Sequence, residues 1–274
     1  MRTLIKKILV ALHLTTLFQK AINRMILLNG ATAELSGNLS VRHNAILLDG
    51  KNAMWIGKNC EMVDSTCRVT GDGNTIDVQD NVRIYGGNQE NFIYIDGNDN
   101  ALLVEGNVTL RHVKIFIKGN HNRIHIAKDC SMTFTNMHIE QENNRVLVHE
   151  GTTMHGREYK TVQFELDEGT TIEIGEDCMI SNDVIFRTTD SHSIVDEAGH
   201  RLNPGKNIHI GKHCWIGMRT VLMKGVELPD HVVVGAGTLC TKSFTQSGVV
   251  IAGQPARVVK KNITWDRKYI ALEE

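Results

Sequence analysis

Aliphatic residues recur along this chain at fixed intervals. Ile56, Val78, Val104, Ile126, Val148 and Ile174 are separated by 22, 26, 22, 22 and 26 residues. Four residues beyond them stand Cys60, Val82, Val108, Cys130, Thr152 and Cys178, all small or β-branched. Before several lies a polar pair ending in asparagine: Gly73-Asn74, Asp99-Asn100, His121-Asn122 and Asn143-Asn144. Asparagine and glycine tolerate left-handed backbone angles, so these pairs predict the sharp corners of a solenoid.

From Ile174 the period shortens to six. The apolar positions become Ile174, Ile180 and Phe186, then Ile210, Ile216, Leu222, Leu228, Val234 and Cys240, with glycine after Ile174, Ile210, Ile216 and Val234. This is a hexapeptide repeat. Three short strands and three corners make a triangular coil of about 18 residues, and stacked coils form three parallel sheets around a narrow aliphatic column. Coils of 22 and 26 are then 18 with one lengthened side or corner. A 22-residue period also suits a right-handed β-helix. One continuous left-handed helix is the expectation, because the hexapeptide half fixes the hand and nothing between the halves reads as a linker.

Composition agrees. Aromatic residues are only 5% of 274 while glycines number 24, as expected where Trp or Phe rarely fits inside a thin triangular core. Thirty basic against thirty-one acidic residues leave a net charge of −1, which excludes the broadly basic surface of a general nucleic-acid binder. The cysteines Cys60, Cys67, Cys130, Cys178, Cys214 and Cys240 contain no C-x-x-C pair. The repeat register places four of them as small buried residues, so reduced thiols in a cytoplasmic compartment are expected. His121 and His125 are four apart, but strand-and-corner geometry does not bring them together, and no metal is expected.

Residues 1–28 stand apart. They hold Arg2, Lys6, Lys7, Lys20 and Arg24 but no acid, and their apolar runs are far short of a bilayer span. A basic amphipathic helix is expected here. It would lie on an anionic inner membrane surface, or cap the solenoid or bind another subunit. A cleaved signal peptide ending near Ala31-Thr32-Ala33 fits less well, because cations follow the apolar stretch.

The repeat breaks once. Between Phe186 and Ile210 the chain has an excess of 18 residues, and long loops on compact repeats carry function. This loop holds His192. In order follow Cys214-Trp215-Ile216-Gly217, then Val234-Gly235-Ala236-Gly237-Thr238-Leu239-Cys240-Thr241-Lys242, then Ala252-Gly253-Gln254-Pro255-Ala256-Arg257. These elements resemble the hexapeptide-repeat, left-handed β-helix acetyltransferases, above all the O-acetyltransferases of capsular and other surface polysaccharides, including sialic acid polymers. The resemblance is specific over Ile174 to Lys260 and architectural over residues 30–173.

The resemblance implies acetyl-CoA as co-substrate and a homotrimer with sites between subunits. It implies His192 as general base and Trp215 as wall of the acceptor pocket. Gly217, Met218 and Ala236 would offer backbone groups to the pantetheine arm. Lys242, Arg257 and Lys260 would meet the CoA phosphates, with Lys224 a weaker candidate. Histidine titrates near neutrality, which suits removal of a hydroxyl proton. His200 is the rival base. His209 and His213 sit in hexads and are expected to point to solvent, while Asp190 or Asp196 would orient the imidazole.

The expected fold is therefore an all-β solenoid, a left-handed parallel β-helix with a short N-terminal helix and a protruding active-site loop. Its parts are 1–28 (helix), 29–173 (22/26-residue coils), 174–243 (hexapeptide core with loop 187–209) and 244–274 (tail and CoA segment). The expected activity is O-acetylation of a bacterial surface glycan or its precursor, in the cytoplasm or at the inner membrane periphery. An N-acetyltransferase of amino sugars or small xenobiotics, and a non-catalytic β-helix scaffold, are the alternatives.

Overall fold

The computed structural model describes residues 24–86 and 93–271. The described residues form a left-handed parallel β-helix with ten, nine and eleven strands in its three sheets. Each coil gives one strand to each sheet in turn. The register follows the sequence repeat: Ile56, Val78, Val104, Ile126, Val148, Ile174, Ile210 and Leu228 are consecutive partners up the second sheet. The sheets run through residue 174 without a break, so both halves share one core of stacked Ile, Val, Leu, Met and Cys. All six cysteines are buried and unpaired.

Three expectations change. Arg24–Leu28, assigned to the basic helix, is a strand pairing with Ala45–Asp49 in the first sheet. Its Leu27 packs partly on the core, so a parallel edge won over amphipathic helix. The rest of the expected helix lies outside the described residues. Among the described residues no helix is long and apolar enough to cross a membrane.

Second, Phe186 takes the core position its hexad predicts, and Phe164, which the repeat did not mark, joins it. Phe164 and Phe186 are fully buried register partners in the first sheet. They stack with ring centroids 4.9 Å apart, directly below the loop.

Third, the paired asparagines serve a different purpose. The left-handed residue is the first of each pair, at Gly73, Asp99, His121 and Asn143. The second is buried and forms a ladder. Asn74, Asn100, Asn122 and Asn144 each donate a side-chain N–H to the Oδ1 of the asparagine one coil earlier, at 2.9, 2.9, 3.1 and 3.0 Å. The same oxygens also accept the backbone N–H of the next asparagine. Each amide of the ladder is thereby satisfied by its neighbours, its second N–H going to a backbone carbonyl, as burial demands.

The residues that lengthen a coil from 18 to 22 sit mainly in the first sheet and its corner with the second, and those that lengthen coil 148–174 to 26 lie between Thr153–His155 and Val162–Leu166, at the corner of the third sheet with the first. Thr135–Glu140 has six residues where Leu239–Cys240 has two.

Candidate active site

The asparagine ladder ends where the loop begins. Thr170 takes the next place, its N–H donating to Asn144 Oδ1 at 3.0 Å and its hydroxyl hydrogen-bonded to that of Thr188 at 2.6 Å. The chain then leaves the first sheet after Val184–Arg187 and rejoins the second at Ile208–Ile210.

Charges and one buried amide hold this excursion. Lys224, from the corner one coil later, donates to Asp190 at 2.5 Å and to the Asn203 carbonyl at 3.0 Å. Asn203 is buried. Its amide donates to Asp190 at 2.7 Å and to the His192 carbonyl at 2.8 Å, and its Oδ1 accepts the Ile194 N–H at 2.7 Å. From the coil below, Glu168 accepts from Arg201 at 2.5 Å, the Gly205 N–H at 2.9 Å and Thr189 at 2.9 Å. Arg201 above all holds the Glu168 carboxyl down to about 2. Lys224 and then Asn203 hold the Asp190 carboxyl below its usual range.

His192 thus has its backbone fixed and its side chain exposed. The imidazole has no hydrogen-bond or charged partner among the described residues. Neither Asp190 nor Asp196 orients it, contrary to expectation: Asp190 is taken by Lys224 and Asn203, and Asp196 pairs with His200 at 3.2 Å. Lys224, the weaker phosphate candidate, has its charge matched by Asp190 within the loop base. His209 points outward to Glu173 at 3.2 Å.

His213 does not point to solvent. It lies at the corner between the second and third sheets, under a tail that doubles back along the solenoid. Trp265 stacks on its ring at 4.4 Å, and the Trp265 indole N–H donates to the His213 carbonyl at 2.8 Å. The ring nitrogens of His213 meet Asp177 at 2.7 Å and the Trp265 carbonyl at 3.0 Å. Arg267 then reaches Asp177 and Thr153 at 2.9 and 2.8 Å. Sequence reasoning missed this clasp, although a tryptophan beyond the last repeat was a visible sign. Nothing in the sequence pattern marked Glu168 or Asn203.

Trp215 stands on the third sheet, 39% exposed, with its ring 6.2 Å from Trp265. Met218 and Ala236 are exposed on the corner between the third and first sheets. Gly217 shares that corner, but the close approach it permits is already made by the next coil: a Cβ there would lie 2.6 Å from the Val234 carbonyl oxygen. The Gly253–Ala256 turn packs against the same corner, with Gln254 donating to the Gly237 carbonyl at 2.7 Å. Arg257 and Lys260 follow it in the edge strand Arg257–Lys261 of the third sheet. Lys242 follows Leu239–Cys240, the last strand of the first sheet, and its ammonium lies 5.8 Å from the Phe244 ring centre.

The structure therefore sorts the sequence candidates into two half-sites. One is the His192 loop at the corner between the first and second sheets. The other is Trp215, Met218, Ala236 and Arg257 along the third sheet and its corner with the first. In a three-sided coil the third sheet lies opposite the first corner, so one chain cannot bring His192 to Trp215. Among the described residues no group of three or more His, Cys, Asp or Glu side chains is arranged to hold a metal ion.

Comparisons place this architecture among known proteins. Residues 207–242 match the bacterial transferase hexapeptide (six repeats) model. The polysialic acid O-acetyltransferase of Neisseria meningitidis is 36% identical over 223 residues, 81% of this chain and 79% of that protein. The polysialic acid O-acetyltransferase of Escherichia coli O1:K1 / APEC is 37% identical over 97 residues, 35% of this chain but only 31% of that protein. The crystal structure of the polysialic acid O-acetyltransferase OatWY matches with a TM-score of 0.50 at 30% identity, covering 90% of this chain and 93% of that one. The chain is an acetyltransferase and belongs to the hexapeptide-repeat, left-handed β-helix family that includes these enzymes.

Proposed function

We propose that the chain transfers an acetyl group from acetyl-CoA to a hydroxyl of a bacterial capsular or other surface polysaccharide, or of its sugar precursor. His192 is the general base. It takes the hydroxyl proton as the sugar oxygen attacks the thioester carbonyl carbon. The tetrahedral oxyanion is met by backbone N–H groups. On collapse the C–S bond breaks and the imidazolium returns its proton to the CoA sulfur. A positioned base of this kind contributes ~10²–10⁴ in rate.

The observation that carries this reading is the loop itself. It fixes the backbone of His192 with a buried asparagine and two charge pairs while leaving the imidazole unpartnered. The names of the relatives support an O-linked, glycan acceptor. The split between half-sites supports a homotrimer in which the His192 of one protomer faces the Trp215 of the next. Such heterologous contacts close into rings. Met218 and Ala236 line the pantetheine path, and Arg257, Lys242 and Lys260 take the phosphates. The enzyme works in the cytoplasm, where acetyl-CoA is made, with the basic segment before Arg24 touching the inner membrane.

The test is free-thiol release from acetyl-CoA with a panel of de-O-acetylated polysaccharides and their monomers, followed by mass spectrometry of the product. An O-acetyl ester, labile to mild base, is expected. A base-stable amide would make the acceptor an amine, and no thiol release with any acceptor would contradict the proposal.

A further inference from the structure

A groove of about 550 Å³ opens on the second sheet and its corner with the third, in the N-terminal coils. Its lining includes Trp55, Asp77, Gln79, Asp80, Asn81 and Asn107. Trp55 and Asp77 are outward-facing register partners in adjacent coils, and Leu103 is the partner of Asp77 in the coil after. One carboxylate oxygen of Asp77 is buried with no hydrogen-bond partner among the described residues. Burial pushes its carboxyl above the ordinary carboxylate value.

Such an oxygen is costly to keep. The solenoid does not require an acid there, since the same column holds Leu103, His125 and Leu147 in later coils. The groove wall is also prebuilt. Exposed amides run Asn59, Asn81, Asn107 to Asp129 at 3.2, 3.2 and 3.0 Å. Asp80 accepts the Lys58 N–H at 2.7 Å. Each amide in that chain uses one N–H along it and retains a second donor and a spare lone pair.

A half-exposed indole beside amides and a carboxylate is the surface a sugar ring needs. Its C–H face covers the aromatic ring, and its hydroxyls reach the polar groups. The groove lining holds two acids and no basic side chain. That combination favours an uncharged ring and disfavours an anionic one.

We propose that this groove is a glycan-holding subsite for the uncharged hexose or N-acetylhexosamine rings of a long acceptor. Six strand steps separate Trp55 from His209, the strand residue just after the loop, which is roughly 29 Å at the usual strand spacing. A chain held at Trp55 is thereby kept near the reacting centre, raising its local concentration there. This gives the extra N-terminal coils a purpose. The inference rests on the reading that the acceptor is a polysaccharide.

The experiment titrates the full chain with glucose and N-acetylglucosamine hexamers and an α2,8-linked sialic acid hexamer, by calorimetry. The variants are Trp55→Ala, Trp55→Phe, Asp77→Ala and His192→Ala. At least one uncharged hexamer is expected to bind wild type, His192→Ala and Trp55→Phe alike, and to lose about tenfold or more in affinity with Trp55→Ala and Asp77→Ala. Unchanged melting temperatures show that the variants are folded. Binding that survives both alanine substitutions overturns the subsite, as does failure of every uncharged hexamer to bind. A sialic acid hexamer whose binding depends on Trp55 overturns the uncharged assignment. A wild-type chain that acetylates polymer but fails these titrations loses only the subsite; one that binds hexamers yet releases no thiol loses only the enzyme reading.

Discussion

The corner between the first and second sheets is built twice, in two ways. Up to Asn144 it is a ladder of buried amides, each satisfied by the next. From Glu168 to Lys224 the ladder is replaced by two charge pairs and a single buried asparagine, Asn203. The first arrangement is rigid and self-repeating, and it presents only satisfied groups. The second encloses 18 surplus residues and exposes an imidazole with no partner. Where a repeat protein gives up its cheapest way of satisfying buried polar groups, something other than folding is being served.

Substitutions can break that contrast, beginning with the largest effect. His192→Ala should lower turnover by ~10²–10⁴ while acetyl-CoA binding stays nearly intact. Thiol-release kinetics beside calorimetric binding check this, and a wild-type rate would move the base elsewhere.

The two asparagines should part company. Asn122→Leu strands its neighbours' amides and should cost about 1–3 kcal/mol of global stability, lowering the melting temperature with little change in kcat. Asn203→Leu should leave the melting temperature nearly unchanged and cut kcat, because only the loop depends on it. Equal effects on both readouts from both variants would erase the distinction.

Acid should loosen the loop before the ladder. Glu168 and Asp190 have lowered folded-state values, so what they add to loop anchoring is fully present above their unfolded values, near ~4. It is lost as pH falls, down to about 2 for Glu168. Proteolysis within residues 187–209 should therefore begin at a pH where far-UV circular dichroism still reports an intact solenoid.

The smallest effect is at the tail. Trp265→Ala should lower kcat several-fold through the loosened Trp215 and leave the N-terminal coils as stable as before, by hydrogen exchange.

Much of this was legible in the sequence, because a solenoid writes its geometry directly into spacing. One aliphatic per coil step gave the register from Ile56 to Leu228, and the single lapse in the six-residue period located the loop. What spacing cannot show is which of two adjacent polar residues bends the backbone and which is buried. The Asn74 and Asn100 ladder was accordingly read as turn chemistry. Long-range partners were hidden for the same reason: Glu168 to Arg201, Lys224 to Asp190 and Trp265 to His213 meet only because coils stack and the tail folds back. The corner opposite Trp215 could be identified only once strands were assigned to sheets.

The central claim is that the two half-sites belong to different copies of the chain. Co-expression of His192→Ala with Trp215→Ala tests it most directly. If His192 of one protomer serves the Trp215 half-site of the next, freely mixed trimers should recover about a quarter of the wild-type sites, although each variant alone is inactive. Mixed assemblies, confirmed by two affinity tags, that stay as inactive as the single variants would contradict it.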